Sequence, residues 1–531
     1  MTPTARFATS VITSMTASPT SQTTTSTTSQ ATTSTTTATT ASTTASTTAP
    51  ERGSTPQRPD SALGRLARPL RPRSLPGRIR AAALAAVLAV AALFAVTGSA
   101  IGDARDGLRV IGHGAGPQVV ATGDLYFSLS DMDAQLANVL LIGREQDLGV
   151  GRARALAVYE QRRAQADRAT LQASELAGRD PSGQRTVQAV LDGLGRYERL
   201  ASQALLLDEQ AGHAAGPPPR QVIDLHRRAT DLMKLDLLPK AYNLTLDNGT
   251  IVRRTYEAKR SSVLDGRLWV VATGLVLLAL LVGLQLFLSR RFRRLINPAL
   301  VLATLVTLVL VAVSVGLLSA EAGQLRKAKQ DGFDSILALS RARAISNSLN
   351  ADESRYLLDP GRADTYEQVY LDKSQSILYV PANNLDAYHA GVDTDLAAYR
   401  ARRDVRFLGF YGEEARHLTV GRQGDAVGAV LTAYQRFQQD DLRLRGLVGA
   451  GRQREAIGVR MGRTQGSSIH DFDDYDRALV SLIGIHQNTF DTAIRAGDGA
   501  LNGWNWLLPG AALVIAALIL AGVRPRLSEF R

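Results

Sequence analysis

The chain has 531 residues and a net charge of +12, and it contains no cysteine. Disulfide frameworks, thiolate metal sites and cysteine nucleophiles are therefore excluded. The basic residues are 55 arginines and 6 lysines, and aromatic residues make up only 5% of the chain. Because a nucleic-acid surface normally combines positive charge with aromatic stacking platforms, we expect no nucleic-acid binding.

The N-terminal segment is a low-complexity tail. Of its first 50 residues, 31 are Ser or Thr. Such a composition buries too little apolar surface to offset the entropy of ordering the chain. We therefore predict a disordered Ser/Thr-rich tail over 1–60, followed by an arginine-rich juxtamembrane segment over 61–80.

Four apolar stretches are long enough to cross a hydrocarbon core, which takes about 20 residues of helix. They lie at 81–102, 268–288, 298–320 and 504–523. Gly98-Ser99-Ala100 resembles a signal-peptide cleavage site, so removal of the first span is the alternative. The length of that apolar run and of the tail before it favour a retained span.

The arginines next to these spans predict the orientation, because cytoplasmic segments keep Lys and Arg close to the membrane. We expect a multi-pass cell-membrane protein with both termini and the loop 289–297 inside, the C-terminal tail being 524–531. The segments 103–267 and 321–503 are then extracytoplasmic. Anionic lipids are the expected partners of the arginines. The arginines are Arg65, Arg68, Arg71, Arg73, Arg78 and Arg80, then Arg290, Arg291, Arg293 and Arg294, and finally Arg524, Arg526 and Arg531.

Both outer segments show hydrophobic residues at helical spacing. A helix is predicted over 151–177, with turns at 178–183 and 216–219, and Pro239 is expected to end or kink a further helix. The fold class is therefore an all-α membrane protein with two four-helix-bundle-like outer domains. The apolar seams are Leu125, Leu129, Met132, Leu136 and Val139; Val187, Val190, Leu194, Tyr197, Ala201 and Ala204; Val222, Leu225, Ala229 and Leu232; Val427, Val430, Tyr434 and Phe437; and Tyr475, Leu479, Leu482, His486 and Phe490.

The order of span, helices and span occurs twice, which indicates an internal duplication. Two short matches agree with it. The tripeptide at 159–161 recurs at 366–368, and Ala-Val-Leu at 189–191, followed by Tyr197, recurs at 429–431, followed by Phe437.

No catalytic, nucleotide-binding or metal-binding signature is found, so we predict neither an enzyme nor a cofactor. Glycine-rich 112–116 follows a membrane span and is expected to be a flexible exit from the membrane. The acidic run 470–476 lacks the spacing of a calcium loop and is interpreted as a helix start. His486 lies on an apolar stripe and is expected to be a hydrogen-bonded core residue.

One group of residues is a candidate ligand-binding site. Arginines near tyrosines could hold a carboxylate through forked hydrogen bonds, although a solvated helix face is the competing interpretation. The group consists of Arg400, Arg402, Arg403, Arg406, Tyr366 and Tyr370.

The four spans, the two cysteine-free helical outer domains and the arginine-rich inner loop 290–294 resemble the GlnX-type membrane proteins of actinobacteria over roughly 81–531. These are encoded with the secreted amino-acid-binding lipoprotein GlnH and the Ser/Thr kinase PknG. The resemblance implies a sensor that couples a glutamate or aspartate signal outside, delivered by the binding protein, to that kinase and to nitrogen metabolism. The predicted cytoplasmic segments are short, which also leads us to expect a cytoplasmic partner, and a homodimer is left open.

Two alternatives remain at this stage. One is a chemoreceptor-like sensor that binds a small molecule directly. The other is a structural or transport-associated protein of the cell envelope.

Overall fold

The computed structural model of the protein describes residues 75–178, 181–292, 297–417 and 421–528. This part of the chain is helical almost throughout, and its one β-bridge joins Tyr379 and Leu408. The predicted all-α class is confirmed. The tail 1–60 and most of the segment 61–80 lie outside the described residues.

Fifteen α-helices occur in the described ranges, and we number them in chain order. They are α1 Leu75–Leu108, α2 Gly116–Ile142, α3 Arg152–Ala177, α4 Pro181–Ala211, α5 Arg220–Leu232, α6 Leu238–Phe292, α7 Pro298–Lys327, α8 Asp334–Leu358, α9 Ala363–Ile377, α10 Leu385–Arg402, α11 Gly409–Arg416, α12 Arg422–Gly449, α13 Gln453–Met461, α14 Ser468–Leu501 and α15 Trp504–Ser528. Three π-helical segments, Arg109–Ala115, Met233–Leu237 and Ala328–Phe333, connect α1 to α2, α5 to α6 and α7 to α8 without a break.

Four helical stretches are long and apolar enough to cross a membrane: Gly77–Ile142, Arg220–Arg290, Pro298–Leu358 and Ser468–Pro525. The predicted spans lie within α1, α6, α7 and α15. Large apolar side chains on these helices are exposed, as lipid-facing positions require. Trp269 and Trp506 are also exposed, whereas Trp504 is 8% exposed and belongs to the protein core.

The spans pack against one another through α1, α6, α7 and α15. Polar side chains also join them. Gln285 Nε2 donates to Thr304 Oγ1 at 2.8 Å between spans two and three. Asn297 Nδ2 donates to the carbonyl of Gly522 at 2.8 Å between the start of α7 and the end of α15. Gln285, which is polar and lies inside a span, is thus satisfied by a neighbouring helix.

The outer part is built around α2 and α8, which pack along each other. Residues 128–142 and 346–359 are buried on almost every side, as in the central helices of a larger protein. Leu357, Leu444 and Ile457 of the second domain lie in the apolar core of the first. The two outer domains therefore form a single body.

The predicted seams are buried in α2, α4, α12 and α14. The seam of α5 is buried in part, since Leu225 and Leu232 are only half-buried. The predicted helix 151–177 is α3, and the expected irregularity near Pro239 is the π segment Met233–Leu237.

The helix order repeats along the chain, as the duplication predicts. In the first copy α2, α3 and α4 follow a π segment, and in the second copy α8, α9 and α12 do so, with α10 and α11 added. The π segments begin at Arg109 and Ala328, which are 219 positions apart. The glycine-rich stretch 112–116 is helical and packed, so the prediction of a flexible exit was wrong.

Candidate functional site

A buried arginine joins the two outer domains. Arg355 of α8 is 2% exposed, and its Nη2 donates to Asp133 Oδ2 of α2 at 2.5 Å. Its Nη1 donates to Asp352 Oδ1, one turn earlier on α8, also at 2.5 Å. Asp133 and Asp352 are both 0% exposed and are 219 positions apart, the same spacing as the π segments. One guanidinium therefore bridges equivalent carboxylates of the two copies.

Further donors complete the site. Lys234 Nζ donates to Asp352 Oδ1 at 2.9 Å, and Lys373 of α9 pairs with Asp352 Oδ2. Tyr197 OH and Thr230 Oγ1 donate to Asp133 Oδ1 at 3.0 and 3.1 Å. We call Asp133, Lys234, Asp352, Arg355 and Lys373 the interdomain ion cluster.

The electrostatics of the cluster follow from burial and charge. Burial, the largest single effect, would raise the pKa of Asp133, but Arg355 and the other neighbouring cationic groups together outweigh it and the pKa is lowered. Burial likewise opposes ionisation of Asp352, and the surrounding lysines and Arg355 lower its pKa. Two carboxylates face three cations, so one cation is in excess. In agreement with this, burial lowers the pKa of Lys373 to about 7 although Asp352 favours its charge.

His226 extends the site on the α5 side. Its Nε2 lies 3.4 Å from Thr230 Oγ1, and its ring is fully buried. Burial lowers the pKa of His226 to about 4, with Asp133 opposing and Arg355 reinforcing the shift. The imidazole is therefore neutral at physiological pH. The next residue, Arg227, makes a forked pair with Asp359 at 2.7 and 2.6 Å, so α5 is also fixed to the end of α8.

The cluster connects three of the four membrane-crossing helical stretches. Asp133 lies 31 residues beyond Gly102, where span one is predicted to end, and Asp352 lies 32 residues beyond the end of span three. Lys234 precedes the start of span two by 34 residues. At about 1.5 Å per residue, all three lie roughly 45–50 Å from the membrane.

A second contact region lies near the membrane. A Cβ on Gly112 would come within 2.7 Å of Ile494, and one on Gly332 within 2.8 Å of Phe490. The π segments of the first and third stretches thus both pack closely against α14. His486 of α14 is fixed there, with Nδ1 2.9 Å from the carbonyl of Asp331 and Nε2 2.7 Å from Glu414 Oε1. The prediction that His486 is a hydrogen-bonded core residue is therefore confirmed.

Residues 107–257 match the family model of the actinobacterial sensor domain. No curated protein and no solved structure matches the chain. The matched range covers 151 of the 531 residues, from the first π segment to the outer part of α6. It includes Asp133, His226 and Lys234 but not the second copy. The match fits an actinobacterial sensor protein, and it covers two of the five residues of the interdomain ion cluster, Asp133 and Lys234.

The predicted arginine group lies at the end of α10 and in the loop after it. Arg400 Nη1 donates to Gln435 Oε1 at 2.6 Å, and Arg406 Nε donates to Asp404 Oδ2 at 2.6 Å. Arg403 lies over the ring of Tyr399, 5.3 Å from its centroid. Arg402 is exposed at the end of the helix.

The two tyrosines of that group are buried in α9. Tyr366 OH lies 3.5 Å from Asp359, and Tyr370 packs under Arg445, 4.9 Å from ring centroid to guanidinium. Within the described ranges, no hydrogen bond or ring contact joins these tyrosines to the four arginines. The carboxylate-binding hypothesis for the whole group stays a prediction.

Of the inner-loop arginines, Arg290 is exposed at the end of α6, Arg291 lies in the same helix, and Arg293 and Arg294 lie outside the described residues. The acidic run begins in the first turn of α14, and Asp471 accepts the backbone N–H of Gly466, just before the helix, at 2.9 Å. His470, Asp471 and Asp474 place ligand atoms within 4.8 Å of one another. Asp474 is paired with Arg477, and the group is interpreted as an acidic helix start.

Sequence reasoning missed the interdomain ion cluster. Its members are separated by up to 240 positions, from Asp133 to Lys373, and charged side chains in a helix are normally expected at the surface. One signal could have found Asp133. The stretch 128–142 of α2 carries no Lys or Arg and has apolar residues on every helical face, so its two aspartates had no exposed face to occupy.

Proposed function

We propose that the protein is a transmembrane signal coupler. It relays an extracytoplasmic amino-acid signal, glutamate or aspartate, from a GlnH-like secreted binding lipoprotein to a PknG-like cytoplasmic Ser/Thr kinase that controls glutamate and nitrogen metabolism. The sensor-domain match supports the sensing role. The partners and the ligand rest on the resemblance described above.

The observation that carries the proposal is the continuity of the helices. Each of the four long stretches runs from a membrane span into the outer body. The interdomain ion cluster joins three of them roughly 45–50 Å from the membrane. A partner that displaces α2 against α8 at this level would move helices that continue through the bilayer.

Such a relay needs two packings of the spans that differ by a few kcal/mol, with the partner binding one better than the other. A buried ion cluster suits this task because a partly broken pair is costly, so the domains have few intermediate arrangements. The packed π segments near the membrane are the place where displacement of α2 and α8 reaches α14. π-helical segments are frequent at functional sites.

The proposed orientation places both termini and the loop 289–297 in the cytoplasm. The arginine clusters beside the spans support it, as do Trp269 and Trp506 at the opposite ends. Arg290 and its neighbours would then meet anionic headgroups and the cytoplasmic partner.

Crosslinking in intact membranes tests the proposal. A membrane-impermeant reagent is applied with and without glutamate and aspartate, and proteins attached to 103–267 and 321–503 are identified by mass spectrometry. We expect a secreted amino-acid-binding protein whose yield changes with ligand, and copurification of a cytoplasmic kinase. Intramolecular crosslinks within the outer body show that the reagent had access. If these form and neither partner is recovered, the relay through those partners is wrong.

A further inference from the structure

The second outer domain contains a polar core that is separate from the interdomain ion cluster. It is formed by side chains of α8, α9, α10, α12 and α13. All of them are at most 3% exposed except Arg445, whose side chain is 10% exposed. We call it the second-domain polar core. Its members are Asn350, Glu353, Tyr370, His389, Gln438, Asp441, Arg445 and Arg460.

Most of these side chains are linked by ion pairs and hydrogen bonds, and Gln438 lies one turn before Asp441 on α12. Arg460 Nε lies 3.5 Å from Glu353 Oε2, and its Nη2 donates to the carbonyl of Asn350 at 3.0 Å. On the other side, Asp441 accepts from Arg445 at 2.8 Å and lies 3.3 Å from His389 Nε2. The charges of Asp441 and Arg445 act on Glu353, and those of Glu353 and Asp441 act on Tyr370, so the two sides face each other.

Several atoms of the second-domain polar core have no protein partner although they are buried. They include donors and acceptors from all five helices. They are Arg460 Nη1, Glu353 Oε1, Asn350 Oδ1, Tyr370 OH, His389 Nδ1 and both ends of the Gln438 amide. Buried polar groups are rarely left without a hydrogen bond, and each one costs about 1–3 kcal/mol. Seven such atoms among these buried side chains indicate that something polar occupies the core.

The charges select the kind of occupant. With Glu353 ionised, the two arginines balance the two carboxylates, and Arg460 Nη1 and Glu353 Oε1 each remain without a partner. A ligand that carries both a negative and a positive group satisfies both atoms. From this balance and from the unpartnered donors and acceptors, we propose that the second-domain polar core binds a small zwitterion, a molecule that carries one carboxylate and one ammonium group. This direct site goes beyond the proposed relay and does not depend on its partners.

The unpartnered atoms offer partners to both groups of the ligand. Arg460 Nη1 and Tyr370 OH are the donors for the carboxylate, while Glu353 Oε1 and Asn350 Oδ1 are the acceptors for the ammonium. Burial raises the pKa of Glu353 to about 8, so the empty core keeps a proton there. An incoming ammonium group takes the place of that proton, and binding releases it.

A bound ligand would alter contacts at the interface between the two outer domains. Arg460 Nε donates to Ser354 Oγ at 2.8 Å, and Ser354 Oγ donates to Asn138 Oδ1 of α2 at 2.6 Å. Ser354 directly precedes Arg355 of the interdomain ion cluster. A ligand that repositions Arg460 therefore acts on the contact between α2 and α8.

The test uses the full chain in nanodiscs, with each of the twenty protein amino acids as a probe and with acetate and ethylammonium as half-probes. Thermal shift and calorimetry report binding. At least one amino acid should raise the melting temperature and bind one-to-one, while neither half-probe does. Tyr370→Phe and Gln438→Met remove only unpartnered groups, so they should fold at least as well as the native chain and yet bind at least tenfold more weakly.

Tyr256→Phe is the matched control, because the hydroxyl of Tyr256 is also buried and unpartnered but lies on α6, outside the polar core. Binding should survive this change. The proposal is overturned if no amino acid binds, which means that the core holds ordered water only. It is also overturned if binding is unchanged in both Tyr370→Phe and Gln438→Met, since the ligand then lies elsewhere. Neither result bears on partner crosslinking.

Discussion

Asp133 and Asp352 carry charge in an environment that water does not reach, and Arg355 makes this tolerable by pairing with both. Removing one member of a buried ion pair costs far more than removing a surface charge, because the partner left behind is neither hydrated nor neutralised. The members of the interdomain ion cluster are not equivalent in this respect. Arg355 serves two carboxylates, whereas Lys373 is one of three cations around Asp352.

Replacing Arg355 with Leu should lower the free energy of unfolding by about 3–5 kcal/mol, since Asp133 and Asp352 then share a buried site with less positive charge. Lys373→Met is the matched control. Asp352 keeps Lys234 and Arg355 in that variant, so we expect a loss of about 1 kcal/mol or less. Unfolding of the full chain in detergent measures both. Equal losses would show that the cations are interchangeable.

His226 makes stability depend on pH. Its pKa is about 4 in the folded protein, whereas an unfolded histidine titrates near 6.5. Between these values the unfolded chain binds the extra proton, so stability falls as the pH falls from about 6.5 towards 4. From pH 7 to pH 5 the loss should be about 2 kcal/mol. His226→Gln should abolish this component, and parallel pH profiles of the melting temperature for the two proteins would contradict the assignment.

The elements that carry the proposed relay are long helices whose regular turns are interrupted by π segments. Hydropathy was sufficient to predict the spans, and apolar spacing was sufficient for α2, α4, α12 and α14, because both signals are local in sequence. The π segments were not predicted. Two of them, Arg109–Ala115 and Ala328–Phe333, lie against α14, and Gly112 and Gly332 permit this close approach, which local sequence does not encode.

Gly332→Ala should separate α14 from the third long stretch, because the new Cβ would lie 2.8 Å from Phe490 Cβ and 2.9 Å from its Cα. The backbone of Phe490 cannot give way as a flexible side chain would. We expect a loss of about 1–3 kcal/mol, typical of overpacking. Gly323→Ala on α7 is the control, since nothing lies within 4 Å of its Cβ and alanine favours the helix. Equal melting temperatures for the two variants would rule out a tight junction.

At the scale of the molecule, two copies of the same helix order pack into a single outer body, which continues into four membrane-spanning helices. The copies and spans were predicted from sequence. Their close packing through α2 and α8, and the second-domain polar core, were not. Contacts such as Arg355 with Asp133 join residues 222 positions apart, and a single sequence holds no record of which distant charges meet. The arginines near 400 stood out because they are adjacent in sequence, whereas the buried charges are adjacent only in space.

We infer that the interdomain ion cluster, roughly 45–50 Å from the membrane, controls the packing of the spans. The chain has no cysteine, so Arg290→Cys and Arg524→Cys place two spin labels at the ends of α6 and α15 without other changes. Pulsed electron–electron double resonance in nanodiscs then gives the distance between the two labels. It is measured in the native background, in the variants Arg355→Leu and Lys234→Met, and in Arg228→Leu, a control at an exposed position. We expect a shift of about 2 Å or more in the cluster variants and none in the control. Identical distance distributions in all backgrounds, with the outer body still folded, would contradict this inference.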